Sequence, residues 1–221
     1  MSSFFTPFQL NRSSLALAIA ALLLAVPVAA RAQFGAPSEG TQVHDPAAIR
    51  PPAGARVAIV EFEDMECPDC AAQNPLLKEA AAKYHIPWVR HDFPLPFHNW
   101  SFQAAVYARW FDTHSKATGD DYRDYIFANQ RSIDTPDALR QYTETFARSK
   151  GLALPFSIDP QGRLAALVKA DYALGQRIGI EHTPTIWVST TNSKGAPFVE
   201  VVDRNRLFQI IDQALADTRG R

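Results

Sequence analysis

The sequence predicts an α/β domain in which a small sheet is interrupted, along the chain, by a long helical block. Three observations predict it. "RVAIVEFE" and "IPWVRHDF" are short runs rich in β-branched and aromatic residues, with one helical stretch between them; from about Asn99 to Gly179 the apolar period is helical; "TIWVST" and "PFVEVV" then return to strand character before a last helix. At 221 residues, 47% hydrophobic and 20% charged, the chain can bury one good core or one core carrying a large insertion, and neither disorder nor a repeat array is suggested.

Residues 1–32 stand outside that core. "MSSFFTPFQLNR" carries one basic residue and no acid, "SSLALAIAALLLAVPVAA" is apolar, and "ARA" offers small residues around a cleavage point near Ala32. This is the pattern of a secretory signal peptide. An uncleaved membrane anchor is the rival, but the apolar run falls short of the roughly 20 residues a span needs, and Pro27 interrupts it. The segment holds no cysteine, so lipid attachment there is excluded. Cleavage removes Arg12 and Arg31 and leaves 20 basic against 23 acidic residues, 20 − 23 = −3. Nothing in that balance suggests nucleic acid.

Residues 33–55 are rich in Pro, Gly and Ala without apolar period and read as a linker or surface arm. The sheet domain is expected over 56–98 and 180–217, with the helical domain at 99–179. In "RVAIVEFE" the first strand runs directly into both cysteines, and Leu76, Leu77, Ala80, Ala81 and Tyr84 then recur at helical spacing. The C-x-x-C therefore lies between a strand and a helix. "PLPF" ends the second strand. Phe102, Val106 and Trp110 mark one helix, and Tyr122, Tyr125 and Ile126 a second, after a turn at Thr118-Gly119-Asp120. A third has Thr135 as N-cap, Pro136 at its first position and Leu139, Tyr142 and Phe146 inward. Leu164, Leu167, Val168 and Ile178 indicate a fourth. A hairpin turns in "TNSKG", and Asp203 caps a closing helix with Leu207, Ile210, Ile211 and Ala214 inward.

Both cysteines sit in "EFEDMECPDC", with five acidic residues around them. Three chemistries fit a C-x-x-C. As a structural disulfide it would be a poor staple, because it closes almost no loop of the unfolded chain. As half of a zinc site it would need ligands from His85, His91, His98 or His182, yet there is no second C-x-x-C and no tight His pair. In redox exchange, Cys67 at the helix N-terminus is stabilised as a thiolate and attacks, while Cys70, one turn inside, resolves.

With its surroundings the motif resembles the thioredoxin superfamily, and within it the DsbA-like thiol:disulfide oxidoreductases. Glu61 stands six residues before Cys67, where that family has a buried acid handling the proton of the inner cysteine. Pro75 stands eight residues after Cys67, matching the proline in thioredoxin's first helix. "HDFPLPFH" resembles the strand and Pro-Leu segment of the DsbA-like branch, and "HTPTIWV" its Thr-cis-Pro loop and following strand. The resemblance covers about residues 45–216. It implies a thioredoxin-like fold with an inserted helical domain, with Cys67, Cys70, Glu61 and a cis Pro184 catalytic. It also implies that Thr183 offers its backbone to an extended substrate segment, and that no metal or cofactor takes part. The implied setting is the periplasm or another exported location. There a monomer would act on folding exported proteins with cysteines and exchange electrons with a membrane partner, either a quinone-linked reoxidase or a thiol donor.

Pro68 and Asp69 depart from the Pro-His pair of the strongly oxidising members. A carboxylate at Asp69 would repel a thiolate at Cys67, and each factor of ten in the exchange equilibrium is about 30 mV. His182 stands where glycine is common, and when protonated it would offset Asp69. Glu63, Asp64 and Glu66 are expected as solvated surface acids, His98 as a packing or capping residue, and Trp88 and Trp100 as core or rim residues. The expected function is an exported oxidase. A disulfide isomerase or reductase is the alternative, against which stands the lack of room in 33–55 for a dimerisation domain. A non-catalytic binding module would not require Glu61, Cys67, Cys70 and Pro184 together.

Overall fold

The structure, a computed structural model, describes residues 41–191 and 197–219. The expected signal segment and most of the "TNSKG" turn lie outside the described residues.

Strand β1 (Val57–Glu63) is buried along its whole length and forms the middle of a four-stranded sheet in the order β2-β1-β3-β4. It runs parallel to β2 (Trp88–Asp92) and antiparallel to β3 (Thr185–Thr190), which pairs antiparallel with β4 (Phe198–Glu200). The parallel pair needs a crossover. Helix α1 (Pro68–Tyr84) supplies it and carries Pro75 within.

Alternation along β1 decides what each face buries. Val57 and Ile59 join Leu77, Ile186, Val188 and Leu207 in the core beneath α1, and Val60 and Phe62 join Phe93, Ile178 and Trp187 on the other side. Each such side chain contributes about 1.5–3 kcal/mol by leaving water. A one-residue slip would turn Glu61 and Glu63 onto the wrong face, so the register Ile59↔Trp88, Glu61↔Arg90, Glu63↔Asp92 is strongly specified.

Between β2 and β3 lie α2 (Ser101–Asp112), α3 (Lys116–Asn129), α4 (Pro136–Ser149) and α5 (Arg163–Ile178). Trp100, Phe111, Tyr122, Ile126, Leu139, Phe146 and Val168 form their core, which extends without a break to Met65, Cys67 and Cys70. Thr135 caps α4 as expected, its hydroxyl accepting from Ala138 N. Asp203 caps a single 3₁₀ turn, Arg204–Arg206, that leads into α6 (Leu207–Asp217).

Three expectations need correction. The turn at Thr118-Gly119-Asp120 is the first part of α3, which starts one turn earlier at Ser115, whose hydroxyl accepts from Thr118 N at 3.0 Å. Gly119 serves close approach rather than a turn, since a Cβ there would lie 1.8 Å from Asp112 Oδ1. Leu167 is 52% exposed on α5 and Phe102 is 39% exposed on α2, so of the expected positions it is Val168 and Ile178 on α5 and Val106 on α2 that carry the inward faces. Folded packing also begins before Arg56: Ile49 is buried beside Val60 and Phe62, His44 N donates to Ile178 O, and Thr41 N donates to Glu200 Oε2. At its C-terminal end α5 lies on the sheet, where Gly175 leaves room for the Phe93 and Phe62 rings.

Candidate active site

The chain leaves β1 at Glu63, turns through Asp64–Glu66, and enters α1 with Cys67 as N-cap and Pro68 at its first position. Proline suits that position because its missing N–H would have no partner there. Both cysteines are free thiols; Cys67 is 7% exposed and Cys70 fully buried. The Cys67 thiol donates to Thr183 O at 3.3 Å, and Cys70 Sγ accepts from Asp64 N at 3.5 Å.

The environment separates the two thiols. Cys67 is lowered from the ordinary thiol range to about 6, first by a hydrogen bond from the Cys70 thiol and then by the backbone N–H groups of Cys70 and Asp69, against the effect of burial. Burial pushes Cys70 well above its ordinary value, and hydrogen bonding to Cys67 and the charge of Glu61 add to it. One sulfur is thus set up as a thiolate and the other as a thiol.

Glu61 lies on the face of β1 toward α1 and is fully buried. Burial, and after it the neighbouring charge of Glu63, raises its pKa from 4.5 to about 8, while Arg90 and the Trp88 indole act in the opposite direction. The Thr183–Pro184 peptide bond is cis, and Thr185 Oγ1 donates to His182 O at 2.8 Å within the same loop. A cavity of ≈ 610 Å³ beside Pro184 is lined by Asp69, His182, Thr183 and Arg204, among others. The fold therefore brings together the expected Glu61, Cys67, Pro68, Asp69, Cys70, His182, Thr183 and Pro184. Asp69 points outward, 71% exposed, with Arg204 Nη2 3.4 Å from its Oδ1.

The acids expected on the surface are instead built into the structure. Glu63 is buried and accepts twice from Arg90, at 3.0 and 2.7 Å, with Arg123 Nε 3.2 Å away on its other oxygen. Arg123 continues to Asp92 and Asp112, and Asp92 to Arg109. Buried charges persist only when paired in this way. Asp64 is buried too: Oδ1 accepts from Glu66 N, and Oδ2 from Leu95 N and from His98 Nδ1 at 2.7 Å. Glu66 accepts from Trp100 N and Ser101 N, the free donors at the start of α2.

One further residue was not expected. Gln130, just past α3, donates from Nε2 to both Met65 O and Cys67 O at 2.9 Å. Nothing in its local sequence marks it, because its partners are more than sixty positions away.

A thioredoxin family model matches residues 52–204. No curated protein matches the chain. Among solved structures, a variant of α-DsbA1 from Wolbachia pipientis superposes with TM-score 0.63 at 14% identity, covering 79% of this chain and 96% of that one. A periplasmic thioredoxin-like protein from Salmonella enterica serovar Typhimurium gives 0.58 at 19% identity, covering 74% and 87%. Pseudomonas aeruginosa DsbA2 gives 0.55 at 21%, covering 85% and 100%. With its four-stranded sheet, its helical block and the C-x-x-C at the head of α1, the chain belongs to the thioredoxin family and has the DsbA-like fold.

Proposed function

We propose that the protein is an exported thiol:disulfide oxidoreductase that donates disulfides to folding proteins through Cys67 and Cys70. A substrate thiolate attacks Sγ of Cys67 in the disulfide form; the Cys67–Cys70 bond breaks, and Cys70 leaves and takes up a proton from Glu61. A second substrate thiolate then attacks the substrate sulfur of the mixed disulfide, and Cys67 leaves as a thiolate. Thr183 and Pro184 border the cavity in which the substrate segment would lie. Asp69 and His182 tune Cys67 in opposite senses.

The carrying observation is the separation of the two thiols. With Cys67 at about 6, thiolate outnumbers thiol about tenfold at pH 7. That stabilises the reduced protein by about 1.4 kcal/mol, or ~30 mV toward the oxidising side. Asp69, exposed and beside Arg204, opposes this only through solvent. The periplasmic setting is supported by the signal-like residues 1–32 and by the Salmonella relative described as periplasmic. Net oxidation requires a membrane partner that accepts electrons from reduced Cys67 and Cys70.

The test is the equilibrium of the Cys67–Cys70 couple against glutathione. A potential near or above that of protein disulfide isomerase is expected. A value near that of thioredoxin would overturn the oxidase reading in favour of a reductase or isomerase.

A further inference from the structure

We infer that Trp88 is the positioning residue of the buried acid: its indole N–H, donated to Glu61 Oε2 at 2.9 Å, selects which carboxyl oxygen carries the exchangeable proton and sets the pH range of that exchange. The inference deepens the proposed function and rests on Glu61 exchanging a proton with Cys70.

Sheet register creates the contact. Trp88 pairs with Ile59 on the parallel neighbour strand, and Glu61 is two residues further along on the same face. The indole therefore leans along the strand onto the carboxyl. It is fixed from its other side, where the Arg90 guanidinium lies 4.1 Å from the ring centroid and is itself held by Glu63 Oε2 and Asn74 Oδ1.

Indole nitrogen only donates. Oε2 is thus an acceptor in either protonation state of Glu61, and the mobile proton resides on Oε1. A donated N–H also favours the carboxylate, opposing the burial that favours the acid. The other charged or titratable groups acting here are Glu63 on β1, Arg90 on β2, Cys67 at the N-cap of α1 and Cys70 within it. Arg123 and Asp124 of α3 reach the site through Glu63 and Arg90, and β3 presents the apolar Ile186.

Trp88→Phe tests this in the full protein, since it keeps a ring against Arg90 and deletes the donor. The rate at which Cys70 displaces glutathione from a Cys67–glutathione mixed disulfide is followed against pH. Its midpoint should move up by about one unit, a roughly tenfold slower displacement on the acidic side. The infrared carbonyl band of protonated Glu61, identified by its loss in Glu61→Gln, should persist to correspondingly higher pH. A merely structural tryptophan would lower the unfolding temperature and move neither. An unmoved profile and band in Trp88→Phe, with displacement slowed in Glu61→Gln, would overturn the inference and leave the proposed function standing. Unchanged displacement in Glu61→Gln would overturn the proton-carrier role and the inference with it. Should Trp88→Phe not fold, the indole N–H resonance of the unsubstituted protein should titrate with the midpoint of the Glu61 band, and a flat response would overturn the inference.

Discussion

Replacing Glu61 by glutamine should stabilise the reduced protein, and by an amount that depends on pH. The folded acid titrates at about 8 against an ordinary 4.5. Between those values the unfolded chain has released this proton and the folded chain still holds it, so stability falls as pH rises through that window. At pH 7 the difference spans 2.5 pH units, or about 3 kcal/mol. Glutamine imitates the protonated acid at every pH and keeps an oxygen for the Trp88 indole. Glu61→Gln should therefore match the parent near pH 4.5 and exceed it by about 3 kcal/mol at pH 7. The opposite contribution of Cys67, whose lowered pKa adds stability as pH rises above about 6, is present in both proteins, and only the smaller part that Cys67 shares with the Glu61 charge enters the comparison. Urea unfolding with excess reductant at the two pH values measures the difference directly, provided the m-values agree. A gain of equal size at both pH values, or a loss at pH 7, would refute the reasoning.

Four other substitutions, the last two combined, address the surrounding structure. Arg123→Met should cost about 3–5 kcal/mol, read by urea unfolding, because it leaves the buried Glu63 and Asp92 short of a partner. Glu66→Ala, which uncaps α2, should cost about 1 kcal/mol and lower the thermal midpoint, with faster amide exchange at Trp100 and Ser101. Arg204→Ala should raise the Cys67 midpoint in thiolate absorbance by a few tenths of a pH unit at most, and adding Asp69→Asn should abolish that rise.

What could be read from the residues themselves depended on how far each one's partner lies along the chain. Cys67 and Cys70 share one strand-to-helix turn, and their spacing alone brings them together, whereas Glu61 as their acid, and Thr183 and Pro184 beside Cys67, were legible only through the family resemblance. The strands and helices were legible for the same reason, because their apolar periods are local. Glu63, Asp64 and Glu66 look the same as surface acids in that segment. What buries them is Arg90, the backbone of Leu95 and the start of α2, all of which arrive only after the chain has folded back. Gly119 gave a misleading signal, since glycine beside threonine and aspartate marks a turn unless a neighbouring helix needs its missing side chain. The link from Trp88 to Glu61 depends on the register of two strands, and composition carries no information about register.

Gln130, Glu66 and Asp64 together fasten the turn that presents Cys67 to the rest of the protein. Under the proposed function this has a mechanical consequence for the moment when a substrate is covalently attached. Thermal tugging by a partly folded chain on Sγ of Cys67 would be borne by the body of the enzyme rather than by a pliant loop. The motion that brings a second cysteine into line would then come from the substrate, whose own folding would decide which disulfide forms.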